Sequence, residues 1–63
     1  MTHQEAFDAL WLLNHGNIGN ITAARTATAV LSPVLAGDAA NATGYDIVDV
    51  AYLVDYARTT FGF

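Results

Sequence analysis

The sequence predicts an all-α fold: one small helical domain over residues 1–63, in which a helical hairpin is joined by a third helix. Apolar residues recur at helical spacing in three stretches, and each stretch begins with a side chain that can cap a helix. Short polar or glycine-containing segments separate the three stretches. Outside the run 47–54, where the pattern is ambiguous, nothing alternates as a strand does.

The first helix is predicted in THQEAFDALWLLNHG. Thr2 and Glu5 have the spacing of a capping box, in which each side chain bonds the other's backbone amide. The sequence Asn14-His15-Gly16 is typical of a helix end. Apolar side chains, Trp11 among them, cover most of the circumference. Such a helix is buried on several sides, and in so short a chain this indicates contact beyond its own fold.

The second helix is predicted in TAARTATAVLSPVLAG, from a cap at Thr22 to a stop at Gly37. Pro33 lacks an amide hydrogen and crowds the carbonyl one turn earlier, so the helix is predicted to kink or break there. Its outward side is predicted to carry Arg25, Thr28 and Ser32. The predicted inward side holds five apolar residues: Ala23, Ala27, Val30, Leu31 and Val34.

After a polar connector at 38–44, the third helix is predicted in YDIVDVAYLVDYART. Asp46 can cap it, Asp49 lies in its first turn, and Arg58 lies in its last turn, where a positive charge complements the helix dipole. The predicted inward arc contains Ile47, Val50, Ala51, Leu53, Val54 and Ala57. The predicted outward arc contains Val48, Asp49, Tyr52, Asp55 and Tyr56.

The segment GNIGNIT at 16–22 raises the question of a ligand loop. Its glycines do not have the spacing of a phosphate-binding loop, no strand precedes them and no lysine follows. A calcium loop aligned on Gly19 would have Gly16 and Ile18 at ligand positions and Arg25 at the last one, where carboxylates are needed. The segment is therefore predicted to be a turn, and the chain to hold no cofactor and no metal.

Catalysis is also not predicted. There is no cysteine, and Ser32, the only serine, has no histidine near it in sequence. His3 and His15 stand at opposite ends of the first helix, too far apart to share a metal. Asp46 and Asp49 could act as an acid–base pair, but capping explains both carboxylates. The chain is interpreted as a non-enzyme.

Charge limits the classes of partner. The net charge is −4, with Arg25 and Arg58 as the only fixed positive charges, so binding to nucleic acid is not expected. No run of apolar residues is long enough to span a bilayer, and direct membrane insertion is not expected. The N-terminal residues lack the basic segment of a signal peptide. These features leave the location open, with a virion or the cytoplasm as the candidates.

Protein–protein contact is the predicted role, because the chain is 54% hydrophobic and only 13% charged. We interpret it as a structural subunit of a homo- or hetero-oligomeric assembly, with a capsid cementing or decorating protein of a virion as the concrete hypothesis. The alternative is an acidic regulatory binder or inhibitor, whose Asp46, Asp49 and Asp55 dock into a basic groove. The rings could instead fold over the chain's own core. The predicted partner-binding residues are Val48, Tyr52, Tyr56, Phe61, Phe63 and Trp11.

Overall fold

Four α-helices follow one another in the computed structural model, which describes residues 1–63. No residue is in a strand, so the predicted all-α class is confirmed. A short 3-10 turn, Ile18–Asn20, lies between the first two helices. The helices are α1 (His3–Asn14), α2 (Ile21–Leu31), α3 (Ala36–Thr43) and α4 (Ile47–Phe61).

The predicted count of three helices is not confirmed, and neither is a kink at Pro33. Helix α2 already ends at Leu31, and a turn follows in which the Val34 amide donates to the Leu31 carbonyl at 3.0 Å. Pro33 has no amide hydrogen with which to continue the helix. Leu35 is extended, and the chain then forms α3 out of residues assigned from sequence to the end of the second helix and to a connector.

The helix ends show which local predictions were accurate. The capping box at Thr2 and Glu5 is present, and the Asp46 side chain accepts from the Val48 amide at 3.3 Å. The cap predicted at Thr22 is wrong, because the 3-10 turn leads directly into α2 and Thr22 is already inside the helix. Gly44 ends α3 in the left-handed region, with φ +77°.

The core lies where the four helices meet. Helix α1 packs most extensively on α2, and α4 packs on α1, α2 and α3. Eleven apolar residues are buried: Ala6, Phe7, Leu10, Leu13, Ala24, Ala27, Leu31, Ala39, Val50, Leu53 and Ala57. The molecule measures 28 × 19 × 19 Å.

Several predicted helix faces need correction. Thr28 was expected outside but is buried, because its hydroxyl donates to the Ala24 carbonyl at 2.9 Å and so meets the core without an unpaired polar atom. Ile47 and Ala51 were expected inside but are exposed. Trp11 is exposed too, so α1 buries one face rather than several.

Candidate protein-interaction surfaces

Four aromatic rings form a continuous row along the last part of the chain. The Tyr52 and Tyr56 ring centroids are 6.2 Å apart, those of Tyr56 and Phe61 are 6.1 Å apart, and those of Phe61 and Phe63 are 5.6 Å apart. These separations are within the range of favourable aromatic pairs. We call the row, together with Val48 one turn before Tyr52, the aromatic face. The structure therefore brings together five of the six residues predicted from sequence.

The aromatic face is partly open to solvent and partly packed on the core. Val48 and Tyr52 are 68% and 57% exposed. Tyr56 is half-buried, and Phe61 and Phe63 are half-buried against the hydrophobic core. The two phenylalanines therefore cover the core, whereas Val48 and Tyr52 are exposed to solvent.

Trp11, the sixth predicted residue, does not belong to this row. Its ring lies 4.1 Å from that of His15 and 6.5 Å from that of Tyr45, which in turn packs on Phe7 at 4.1 Å. The His15 Nδ1 atom is 3.0 Å from the Trp11 carbonyl oxygen and holds the imidazole over the indole. Trp11 thus belongs to a second aromatic group. Its other members are Tyr45, a half-buried residue in the segment that connects α3 to α4, and His15 at the end of α1.

A cleft that was not predicted from sequence lies between α4 and the turn that joins α2 to α3. Its volume is about 140 Å³, comparable to that of a cavity that holds one aromatic ring. Asp55 and Arg58 are its charged residues. The remaining lining residues are Leu31, Ser32, Val34, Ala36, Val50, Ala51 and Val54.

Exposed aliphatic side chains adjoin this cleft. Leu35 is 74% exposed and lies between the lining residues Val34 and Ala36. Ile47 is also exposed, and its Cδ1 atom would lie 3.6 Å from a Cβ added at Gly37, so α4 begins beside the start of α3. Sequence reasoning missed both residues, since Leu35 had no predicted role and Ile47 was placed in the core.

The segment 16–22, whose glycines raised the possibility of a ligand-binding loop, is a turn followed by the start of α2. Gly16 has φ +89°, and the Asn17 and Ile18 amides donate to the Leu12 and Gly16 carbonyls at 3.0 Å each. No group of three or more histidine, cysteine, aspartate or glutamate side chains is placed to hold a metal ion. None of the helices combines the length and the apolar character needed to cross a membrane.

Glu5, in the first turn of α1, lies outside these surfaces. The backbone amide of Thr2, and then its hydroxyl, lower the pKa of the Glu5 carboxyl below its usual 4.5 by hydrogen bonding. Asp46 at the N-cap of α4, and Asp49 and Asp55 within the helix, are exposed. These aspartates offer negative charge, and Val48 and Tyr52 on the same helix offer apolar contact area.

No family model, curated protein or solved structure matches the chain.

Proposed function

We propose that this chain is a small, non-catalytic subunit that takes part in a protein assembly by packing its aromatic face on a neighbouring subunit. The observation that supports this is the exposure of Val48 and Tyr52, 68% and 57%, beside a row of rings that already contact one another. Tyrosine is enriched in interfaces because a large apolar ring carries a polar tip.

The arrangement suits association for two physical reasons. Removing apolar surface from water stabilises a contact by about 25 cal/mol per Å². The entropy lost on binding is also small, because Tyr52 is on a helix and is stacked on Tyr56, whose ring meets Phe61 edge to face. A partner would meet a surface that is already close to its bound conformation.

Within this class we propose a capsid cementing or decorating protein of a virion. Composition is the support: the chain is short and acidic, has no lysine, and is rich in alanine, threonine and glycine. The corresponding test is to sediment virus particles from the source culture and to look for the chain in the particle fraction by mass spectrometry. A chain found only in the soluble fraction would contradict the virion setting and leave the assembly role to other tests.

The experiment that tests the assembly role is light scattering with circular dichroism on the purified chain and on Val48→Ser/Tyr52→Ser. We expect the wild-type mass to exceed the 6.7 kDa of one chain and the double variant to lose mass while it keeps its helicity. Tyr56 is left unchanged because it is half-buried, and its loss would disturb the fold as well as the surface.

Ile18→Ser is the matched control, because Ile18 is 67% exposed and lies in the 3-10 turn, away from α4. It should leave the mass unchanged. A wild-type chain that is a folded monomer at every concentration, or a double variant as large as the wild type, would contradict the role given to the aromatic face.

A regulatory binder is the second candidate, favoured by the exposure of Asp46, Asp49 and Asp55 on the helix that carries Tyr52. Such a chain would dock α4 into a basic groove, and salt would weaken that complex steeply because exposed charges are screened. An interface made by the aromatic face should persist as salt rises. The salt dependence of association therefore separates the two candidates.

A further inference from the structure

The cleft between α4 and the 32–35 turn is on a different side of α4 from Tyr52 and Tyr56. Its two charged residues, Asp55 and Arg58, have opposite signs and cancel. The net charge of −4 is therefore carried entirely by the rest of the chain. The side-chain hydrogen bonds of α4 and its N-cap are made by Asp46 and Thr59, so neither head group at the cleft is engaged in one.

The exposed residues along this side of α4 form a regular stripe. Ala51, Asp55 and Arg58 are separated by four and then three residues, and Gly62 follows four residues later at the C-cap. This spacing keeps all four on one side of the helix. The small residues at both ends allow a second helix to approach closely, and the two charges lie between them.

We propose that this side of α4 is a self-association surface, on which a second copy of the chain docks with its α4 antiparallel. A two-fold axis level with residues 56 and 57 would place Asp55 of each copy opposite Arg58 of the other. The same axis would place Ala51 opposite Gly62. In this register both charges of each copy are paired, and the interface contains two equivalent ion pairs, as two-fold symmetry requires.

Charge complementarity favours a second copy over an unrelated protein as the occupant. Two chains that each carry −4 repel one another over most orientations. The cleft side is a neutral region, and its pattern of one acid and one base is complementary to itself. A partner with a basic groove would be drawn instead to the surface that carries the excess acids.

A standard interface buries about 800 Å² per partner, which is roughly a fifth of the 3729 Å² accessible surface of this chain. Leu35 and Ile47, exposed beside the cleft, add apolar surface to the stripe. Burial of this apolar surface supplies most of the free energy, and the ion pairs set orientation and register.

The test is a reciprocal charge exchange followed by sedimentation equilibrium. Asp55→Arg and Arg58→Asp, each alone, oppose like charges in the proposed register and should raise the dimer dissociation constant about tenfold or more. The double variant Asp55→Arg/Arg58→Asp restores opposite charges and should dimerise as the wild type does. An equimolar mixture of the two single variants should form a heterodimer.

Asp8→Arg and Arg25→Asp are the matched controls, because both change the charge of an exposed helical residue outside α4 by the same amount. They should have little effect on the dissociation constant. Circular dichroism of each variant checks that the helices are intact. Restoration in the double variant and in the mixture cannot arise from a general loss of folding.

A wild-type chain that stays monomeric at high concentration, or single variants that dimerise as well as the double variant, would overturn the proposal. The outcome is separable from that for the aromatic face. Tyr52→Ser alone separates the two surfaces, because Val48 precedes Ala51 by three residues and borders the stripe. A dimer that depends on Asp55 and Arg58 but ignores Tyr52→Ser supports self-association and contradicts the assembly role of the aromatic face. The opposite pattern supports the aromatic face alone.

Discussion

At the scale of single residues, the first turn of α1 shows how strongly local chemistry determines a helix start. The Thr2 amide donates to the Glu5 carboxylate at 2.9 Å, and the Glu5 amide donates to the Thr2 hydroxyl at 3.1 Å. Two amides that the helix itself cannot satisfy are thereby paired. Since the carboxylate is the acceptor, ionisation and capping are linked.

This link predicts that the difference in stability between the wild type and the Glu5→Gln variant depends on pH. The folded-state pKa of Glu5 is below its usual 4.5, so its contribution is fully present above pH 4.5 and is lost as the pH falls through the folded-state value. Glutamine can form the same hydrogen bond but does not titrate. We expect the wild type to be more stable at neutral pH and to lose this advantage in acid.

Urea unfolding of both chains at several pH values measures the difference. Because the other carboxyl groups titrate in both chains, only the difference between the two chains reports on Glu5. An advantage that is independent of pH would contradict the link between ionisation and capping.

The residues that sequence predicted well are those whose partners are close in the chain. Thr2 bonds a residue three positions away, and Asp46 bonds one two positions away. Thr28 was misplaced because its polarity suggested solvent. Its hydroxyl pairs within its own helix, which makes burial acceptable, and which side of α2 meets α1 depends on the packing of the whole helix.

At the scale of elements, α3 is the helix that sequence reasoning missed. It is eight residues long, and only Ala39 is buried in it, so no apolar stripe reveals it. Isolated helices of this length are marginal in water, and packing on α4 is what stabilises this one. A pattern based on apolar spacing cannot detect a helix that depends on a neighbour for its stability.

Two glycines at the ends of α3 predict opposite effects of the same substitution. Gly44→Ala should destabilise the fold by about 1 kcal/mol, because Gly44 has φ +77° and an alanine is strained there even though a Cβ would meet no atom within 4 Å. Gly37→Ala should stabilise it by about 0.5 kcal/mol, because Gly37 is helical and its Cβ would make an ordinary contact with Ile47.

Thermal unfolding followed by circular dichroism measures both substitutions, since 1 kcal/mol shifts the Tm of a domain this small by about 4–8 °C. Each variant is the control for the other. Shifts of the same sign would show that the two backbone conformations are not as described.

At the scale of the whole molecule, the fold depends on a very small interior. In a chain of 63 residues a single hydrophobic core rarely supplies more than about 3–5 kcal/mol. Phe7 is the largest fully buried side chain, and its ring also packs at a tilt against that of Tyr45. One residue therefore accounts for a large share of the apolar contact that holds the helices together.

We accordingly predict that Phe7→Ala, which removes about 3–5 kcal/mol, leaves the chain largely unfolded at room temperature. Trp11→Ala, on the exposed side of the same helix, should keep a cooperative transition. Near-ultraviolet circular dichroism and urea titration distinguish the two. A cooperative Phe7→Ala chain would mean that the core is larger or better compensated than the structure shows.

The two candidate surfaces differ in the same way: one is formed by residues close together in the sequence, and the other by residues that are far apart in it. The aromatic face was predicted because its members recur within sixteen residues at helical spacing or in the tail. The cleft was not predicted, because one wall is α4 and the other is the turn around Pro33. Its existence depends on where α2 ends and how α3 returns, which no spacing within α4 reveals.

The four alanines that are completely buried, Ala6, Ala24, Ala27 and Ala57, bear on how this chain tolerates change. Where interior side chains are this small, backbones lie close together, and an added methylene costs about 1–3 kcal/mol through strain. We therefore expect fewer different amino acids to be tolerated at these four sites than at the exposed residues Leu35 and Ile18. In an engineered library, these four buried alanines would be the positions to hold constant.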